Sequence, residues 1–221
     1  MKNLFAGFIG SLIMLGSVIS YSQSRFPRDV YEFIENPGIL EVNQEPGHTP
    51  MVAFNNLNKA MSNTRDASQG YLSLNGTWKF QYSKNPTDAP SDFFQPRYDD
   101  RKWGNIKVPG NWEMQGYGDP MFRNVSQPFK VDPPRIPHDY NPVGSYRTTF
   151  NLPVEWKGKE VFLRMDGSTS ATFVWLNGIE MGFNKGANEP AEYNLTPFLT
   201  SGKNTLAVAL AEKEPLMFAT P

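Results

Sequence analysis

The groups in this chain able to do chemistry fall into three sets. The first is a scatter of carboxylates: Glu113, Asp119, Asp132, Asp139, Asp166, Glu189 and Glu192. Glycoside hydrolysis needs two carboxyl groups about 5 to 9.5 Å apart. No spacing in the sequence singles out such a pair, and solvated surface carboxylates account for nearly all of them. The second set is the two histidines, His48 and His138. Neither stands in an H-x-x-x-H or H-E-x-x-H context, so a catalytic zinc finds no support. Cys is absent, which removes a thiol nucleophile, disulfides and Cys-bound zinc together. No G-x-S-x-G, P-loop or G-x-G-x-x-G motif occurs.

The third set has the residue types for carbohydrate. Aromatic faces stack on the C–H-rich faces of pyranoses, and planar amides and carboxylates bond vicinal hydroxyls. Trp112 and Tyr117 stand beside Asn111, Glu113, Gln115, Asp119 and Asn124. Two readings of the aromatics stay open: they stack on a ligand, or they pack their loop onto the scaffold, the commoner use of such rings.

These residues lie in a stretch of 39, Val108 to Tyr146, that holds seven prolines together with Trp112, Tyr117, Phe122, Phe129, Tyr140 and Tyr146. Proline and glycine at this density exclude a long helix. Aromatics at this density do not fit a disordered linker. A proline-pinned aromatic loop on a rigid β scaffold is the expectation.

The scaffold announces itself from Leu72 onward. Trp78, Phe80 and Tyr82 alternate with Lys79 and Gln81. The same period of two runs through Tyr146–Leu152, Val161–Asp166, Thr172–Leu176 and Leu206–Leu210. Asn177-Gly178 joins Thr172–Leu176 to Ile179–Phe183 as a hairpin, since both residues tolerate positive φ. Thr196-Pro197 predicts one helical turn over Thr196–Leu199 with Thr196 as its cap. Asp99–Trp103 reads as a short helical or turn segment. Many short strands between turn signals predict an all-β antiparallel sandwich over residues 70–210.

Upstream, Lys2 and the apolar run Leu4–Ile19 have the form of a secretory signal peptide over residues 1–22, with a cut after Ser22. The run is short for a bilayer span of roughly 20 residues. The chain is therefore expected to be secreted or periplasmic, with no membrane partner after cleavage. Residues 23–69 are polar and turn-rich, and read as an extended arm or a loose linker. A net charge of -1 without Lys/Arg runs gives no footprint for nucleic acid. Three Asn-x-Ser/Thr sequons, at Asn75, Asn124 and Asn194, read as chance matches in a chain whose signal looks bacterial.

Leu74-Asn75-Gly76-Thr77-Trp78-Lys79-Phe80, Val108-Pro109-Gly110-Asn111-Trp112-Glu113-Met114-Gln115-Gly116-Tyr117 and Pro142-Val143-Gly144-Ser145-Tyr146-Arg147 together resemble the amino-terminal region of the family 2 β-galactosidases. Asp166-Gly167, Trp175-Leu176-Asn177-Gly178 and Pro190-Ala191-Glu192-Tyr193-Asn194-Leu195 continue the match in order. The resemblance implies a jelly-roll sandwich that binds sugar and lends a few residues to an active site on a separate TIM barrel. That barrel carries the two catalytic glutamates of a retaining hydrolase. The family's Tyr-x-Asn-Val motif, whose Asn reaches the galactose, falls on Phe122-Arg123-Asn124-Val125, so Asn124 inherits that role with Phe122 in place of Tyr. Family enzymes use magnesium and sodium, through residues this chain does not carry; no cofactor is expected here. Residues 211–221 depart from the family's Arg-Trp-Ser-Asp-Gly-Ser segment and read as an aberrant tail of a truncated or frame-shifted frame.

Three functions follow as expectations. The chain is an amino-terminal fragment of a secreted β-galactosidase, contributing Asn124 with Trp112 and Tyr117 but unable to hydrolyse a β-galactoside alone. It is a stand-alone carbohydrate-binding module. Or it is a complementing fragment that docks through its arm onto a barrel-containing chain.

Overall fold

The computed structural model describes residues 26, 30–62, 64–120, 132–169 and 171–212; the expected signal peptide and all but the first two residues of the expected tail lie outside them. Among the described residues, nine strands form two antiparallel sheets. They are β1 (Glu41–Val42), β2 (Gly76–Ser83), β3 (Gly104–Val108), β4 (Val143–Asn151), β5 (Phe162–Met165), β6 (Ala171–Leu176), β7 (Ile179–Asn184), β8 (Ala191–Asn194) and β9 (Lys203–Ala211). Seven lie in one sheet in the order β1-β7-β6-β9-β4-β2-β3, and β5 pairs with β8 in a two-stranded ribbon. The jelly-roll sandwich thus has unequal layers.

The reason is that the large sheet is apolar on both faces. On β6, Phe173 and Trp175 point to one side and Val174 and Leu176 to the other, and all six residues of the strand are buried. On β9, Ala207, Ala209 and Ala211 share the first side, and Leu206 and Val208 the second. The register sets Trp175 against Ala207 and Phe173 against Ala209, so each large ring lies beside a methyl group and has room to spread. A bulge between Val174 and Trp175 leaves Met181 as the extra residue of β7. It turns Met181 to the second face while Phe183 remains on the first. Asn177 and Gly178 take φ of 53° and 88°, the paired positive values of the tight hairpin their sequence predicts.

The β5–β8 ribbon covers the second face through Leu163, Ala191, Tyr193 and Leu195. Two non-strand segments cover the first. One is residues 86–103, which bring Phe93 and Phe94 onto Trp175, with Trp103 stacked on Phe93; the Phe94 and Trp175 rings stack at 5.2 Å. Arg147 on β4 ties this segment down. It is buried, pairs with Asp100 at 2.8 Å and donates to the carbonyls of Phe93 and Gln95.

The other cover is the start of the region read from sequence as an arm. It contains helices α1 (Val30–Ile34) and α2 (Leu57–Met61). Phe26, Val30, Phe33 and Ile34 are core residues. Buried Lys185 donates its Nζ to the carbonyls of Ile34 at 3.1 Å and Asn36 at 2.7 Å, which end α1. Glu35 accepts from His138 at 2.7 Å, and the His138 ring stacks on Tyr31 at 3.8 Å. Burial and the nearby Glu35 carboxylate push the Tyr31 phenol up to about 12. The chain then passes the sheet edge as β1 and crosses the outer side of the ribbon. There His48 meets Glu192 at 3.0 Å and Arg65 meets Asp166 at 3.0 Å, while Arg164 bridges Asp166 and Glu192 at 2.9 and 3.6 Å. The indole of Trp156 donates to the Gln69 carbonyl at 2.7 Å.

Elsewhere the local expectations meet small adjustments. Thr196–Phe198 is a 3₁₀ turn capped at Leu195, because the Thr196 hydroxyl accepts from the Val161 amide at 2.9 Å instead. Asp99–Trp103 forms turns closed by the Asp99–Arg101 ion pair.

Two outcomes are expected. Arg147→Ala strands Asp100 and two carbonyls, and should cost about 3 kcal/mol in urea denaturation; a loss below about 1 kcal/mol would show that the 86–103 cover holds by its aromatic rings alone. His48 bonds Glu192, which raises its pKa above the ordinary 6.5. The stabilisation is therefore full below pH 6.5 and fades as pH rises through the folded value. Amide protection factors over residues 44–50, taken relative to the intrinsic exchange rate at each pH, should be higher at pH 5.5 than at pH 8.5, and Glu192→Gln should erase the difference; a difference in protection that survives the substitution refutes the assignment.

Candidate functional site

The stretch that follows β3 doubles back along the sheet. The Val108–Pro109 bond is cis, and a 3₁₀ turn at Glu113–Gln115 ends at Gly116, whose φ is 88°. The Gln115 carboxamide then acts as an extra strand residue: its Oε1 accepts from the Lys107 amide at 2.8 Å, and its Nε2 donates to the Lys107 carbonyl at 3.1 Å. This covers the outward backbone groups of edge strand β3 at Lys107. A Cβ at Gly110 would come within 2.9 Å of Gln115 Nε2, so glycine there permits the clamp. Farther on, the Tyr117 hydroxyl reaches Gly104, where a Cβ would stand only 2.5 Å away. Gly118 passes Tyr82, and the segment arrives at the end of the sheet where Ser83, Val143 and Ala211 are aligned on β2, β4 and β9.

Trp112 and Tyr117, the candidate stacking rings, are placed by this path. Trp112 is 5% exposed. Its six-membered ring sits on Gly144, where a Cβ would come within 2.5 Å, and it meets Tyr82 edge-on at 5.9 Å. Phe80 lies at 6.2 Å. These contacts fit the second of the two readings, in which Trp112 packs its loop onto the scaffold. Tyr117 is half-buried and packs edge-on against Phe80 at 4.6 Å. Asn124 lies outside the described residues, as does Phe122. The sequence-predicted candidates that can be placed therefore fasten the loop.

At the Ser83–Val143–Ala211 end, groups that sequence reasoning did not select come together. The Tyr82 and Tyr140 hydroxyls are 3.2 Å apart. Burial, then the Tyr140 hydroxyl, hold the Tyr82 phenol well above its ordinary pKa, and the charges of Glu212 and Asp119 act in the same direction. Burial likewise raises Tyr146, with Glu113 adding to it. Phenols so placed remain protonated donors at neutral pH. Tyr82 was legible only as the last aromatic of an alternating strand; its hydrogen-bonded neighbour Tyr140 comes from a loop 58 positions away in sequence. Among the described residues no three of His, Asp and Glu gather as metal ligands. Among the same residues, no helix is long and apolar enough to cross a membrane.

Residues 71–220 match the family described as glycosyl hydrolases family 2, sugar binding domain. Curated relatives include β-galactosidases of Priestia megaterium (37% identical over 181 residues, 80% of this chain and 18% of the relative) and Psychromonas ingrahamii (38% over 174 residues, 79% and 16%). The Halalkalibacterium halodurans β-galactosidase is 35% identical over 185 residues, 82% of this chain and 18% of the relative. The chain thus spans less than a fifth of the length of the relatives it matches. Among solved structures, a β-glycosidase from Bacteroides vulgatus superposes with a TM-score of 0.48 and 28% identity, covering 62% of this chain and 16% of that one. With antiparallel sheets in place and more than half of its length matched, the chain belongs to the sugar-binding domains of glycosyl hydrolase family 2.

Proposed function

We propose that this chain works as the sugar-binding part of an exported β-galactosidase, presenting Asn124 to a terminal β-galactoside while hydrolysis belongs to a barrel outside residues 1–221. The carrying observation is the match itself: 35–38% identity to β-galactosidases over about four fifths of the chain, yet within a small share of their length. The double-covered sheet supports it, because a rigid scaffold is what lets a loop residue hold a ligand group in register.

Alone, the purified chain is expected to bind galactose weakly, in the millimolar range by calorimetry, and to leave a chromogenic galactoside intact. Asn124→Ala should weaken binding about fivefold, the loss of one neutral hydrogen bond to ligand. Turnover by the chain alone would overturn the division of labour; silent calorimetry at high millimolar sugar would overturn the binding role.

A second reading, the complementing fragment, is favoured by one feature. Leu57 and Met61 lie one turn apart on α2 at 74% and 76% exposure, and α2 buries nothing of its own. A five-residue helix is not stable in isolation. Mixing with a barrel-bearing chain tests this reading; galactosidase activity regained by wild type but lost by Leu57→Asp would support it, and activity indifferent to the substitution would reject it.

Export rests on the segment 1–22. The secreted product is expected to begin at Gln23 by terminal sequencing, and retention of Met1 in the exported chain would reject the cleavage.

A further inference from the structure

Two Asn-Gly pairs, Asn75-Gly76 and Asn177-Gly178, and one Asp-Gly pair, Asp166-Gly167, occur in the sequence. Each is a place where the chain can modify itself. The glycine amide nitrogen can attack the side-chain carbonyl carbon of the residue before it, and a residue without Cβ offers little steric resistance. The attacked side chain has to swing onto that nitrogen. The hydrogen bonds it already makes therefore govern the rate.

The fold treats the three pairs differently. The Asn177 carboxamide is held at both ends: its Nδ2 donates to the Phe198 carbonyl at 2.9 Å and to Asn204 Oδ1 at 2.8 Å, and its Oδ1 accepts from the Thr205 amide at 2.9 Å. The Asp166 carboxylate is gripped by Arg164 at 2.9 Å and by Arg65 at 3.0 Å. Asn75 is exposed, and among the described residues its carboxamide makes no hydrogen bond; its backbone N–H alone is engaged, by Ser73 Oγ at 3.3 Å. Gly76 has a φ of 144°, with open space within 4 Å of where a Cβ would stand. It is the first residue of β2 and pairs with Val108, the last of edge strand β3, so it sits where a ladder frays first.

We infer that Asn75 is a site of self-driven deamidation in the folded protein, and that Asn177 and Asp166 are protected from the same chemistry by their hydrogen bonds. The Gly76 nitrogen gives its proton to solvent and bonds to Asn75 Cγ. The Cγ–Nδ2 bond breaks, and ammonia leaves carrying a proton in return. The five-membered imide then takes up one water, which opens either carbonyl and leaves aspartate or isoaspartate at position 75. Isoaspartate puts one more carbon into the main chain just before β2. The Leu74 carbonyl accepts from the Trp78 indole at 2.8 Å across this point, so the isoaspartyl form loosens the start of the strand.

The test is to incubate the full chain at pH 8, folded and in parallel unfolded in guanidinium, and to follow each peptide by mass and by enzymatic isoaspartate labelling. In the folded chain the peptide holding residue 75 should gain about one dalton at least about tenfold faster than the one holding 177, the slowing that two or three neutral hydrogen bonds impose. Isoaspartate should not build up at 166. In the unfolded chain 75 and 177 should both react. Asn75→Gln sets the amide one carbon too far for a five-membered ring and should abolish the gain. Asn75→Asp, with the new charge but no extra carbon, should keep the wild-type urea midpoint, and the isoaspartyl fraction should unfold below it; equal midpoints would refute the loosening of β2. A folded chain in which Asn75 stays intact while the unfolded chain reacts overturns the inference, as do equal rates at 75 and 177 in the folded chain.

Discussion

A sheet whose central strands carry apolar side chains on both faces has to be covered twice. That constraint governs the molecule. β6 buries all six of its residues and β9 all but exposed Lys203 and half-buried Leu210, so the centre of the sheet has to be covered on both faces. One face takes the β5–β8 ribbon. The other takes a short helix and an irregular segment, which cannot satisfy a sheet by hydrogen bonding and must do so by packing. Irregular backbone over a core also carries carbonyls in need of donors. The two buried cations answer that need. Arg147 serves the carbonyls of 93 and 95, and Lys185 those of 34 and 36. Each is fixed by several oxygens at once, which is the condition under which a buried charge is tolerated.

The same constraint explains why the loop motif is so rich in aromatics. The path from Pro109 to Pro120 has to run back along β2 against a face that is already apolar. Trp112 fills the depression over Gly144, Tyr117 lies across Phe80, and Gln115 closes the edge of β3. These contacts are structural, yet they serve recognition indirectly. Binding geometry held on a loop is only as exact as the packing beneath it. A segment pinned at Lys107, Gly104 and Gly144 delivers Gly118 and Asp119 to the Tyr82–Tyr140 end with little freedom left.

Legibility in the sequence followed the length and regularity of each signal. β2, β4, β5, β6 and β9 were readable because a period of two survives in them, and Asn177-Gly178 marked the hairpin into β7 by backbone chemistry alone. β3 escaped notice because an edge strand with Ile106 as its single buried residue has no period to read. β1 and β8 are shorter still. The arm looked polar because its core residues Val30, Phe33 and Ile34 occupy barely one turn, too little for a helical period to register. At the site, the role of Trp112 was undecidable from sequence. What encloses it is a glycine on β4 that lies 32 positions later, and only the register of β2 with β4 brings the two together. The Tyr82–Tyr140 contact was hidden for the same reason: each residue reads as ordinary strand or loop composition until the fold sets their hydroxyls side by side.

The arm shows how such a domain can be both self-sufficient and open to partners. Its first part is fastened by burial, which is strong and insensitive to salt. Its second part crosses the ribbon on exposed and half-exposed ion pairs, among them Arg65–Asp166 and His48–Glu192. Exposed pairs of this kind contribute only about 0 to 1 kcal/mol each and weaken with salt. The boundary between the two regimes falls near β1, where the chain leaves the sheet edge. Upstream of it, release of the arm would open the core and unfold the domain. Downstream, residues 44–69 can lift away at small cost without exposing any buried cluster of the sheet, because α2 contributes nothing to either. That segment also leaves Met51, Leu57 and Met61 exposed, so lifting it costs little buried apolar area.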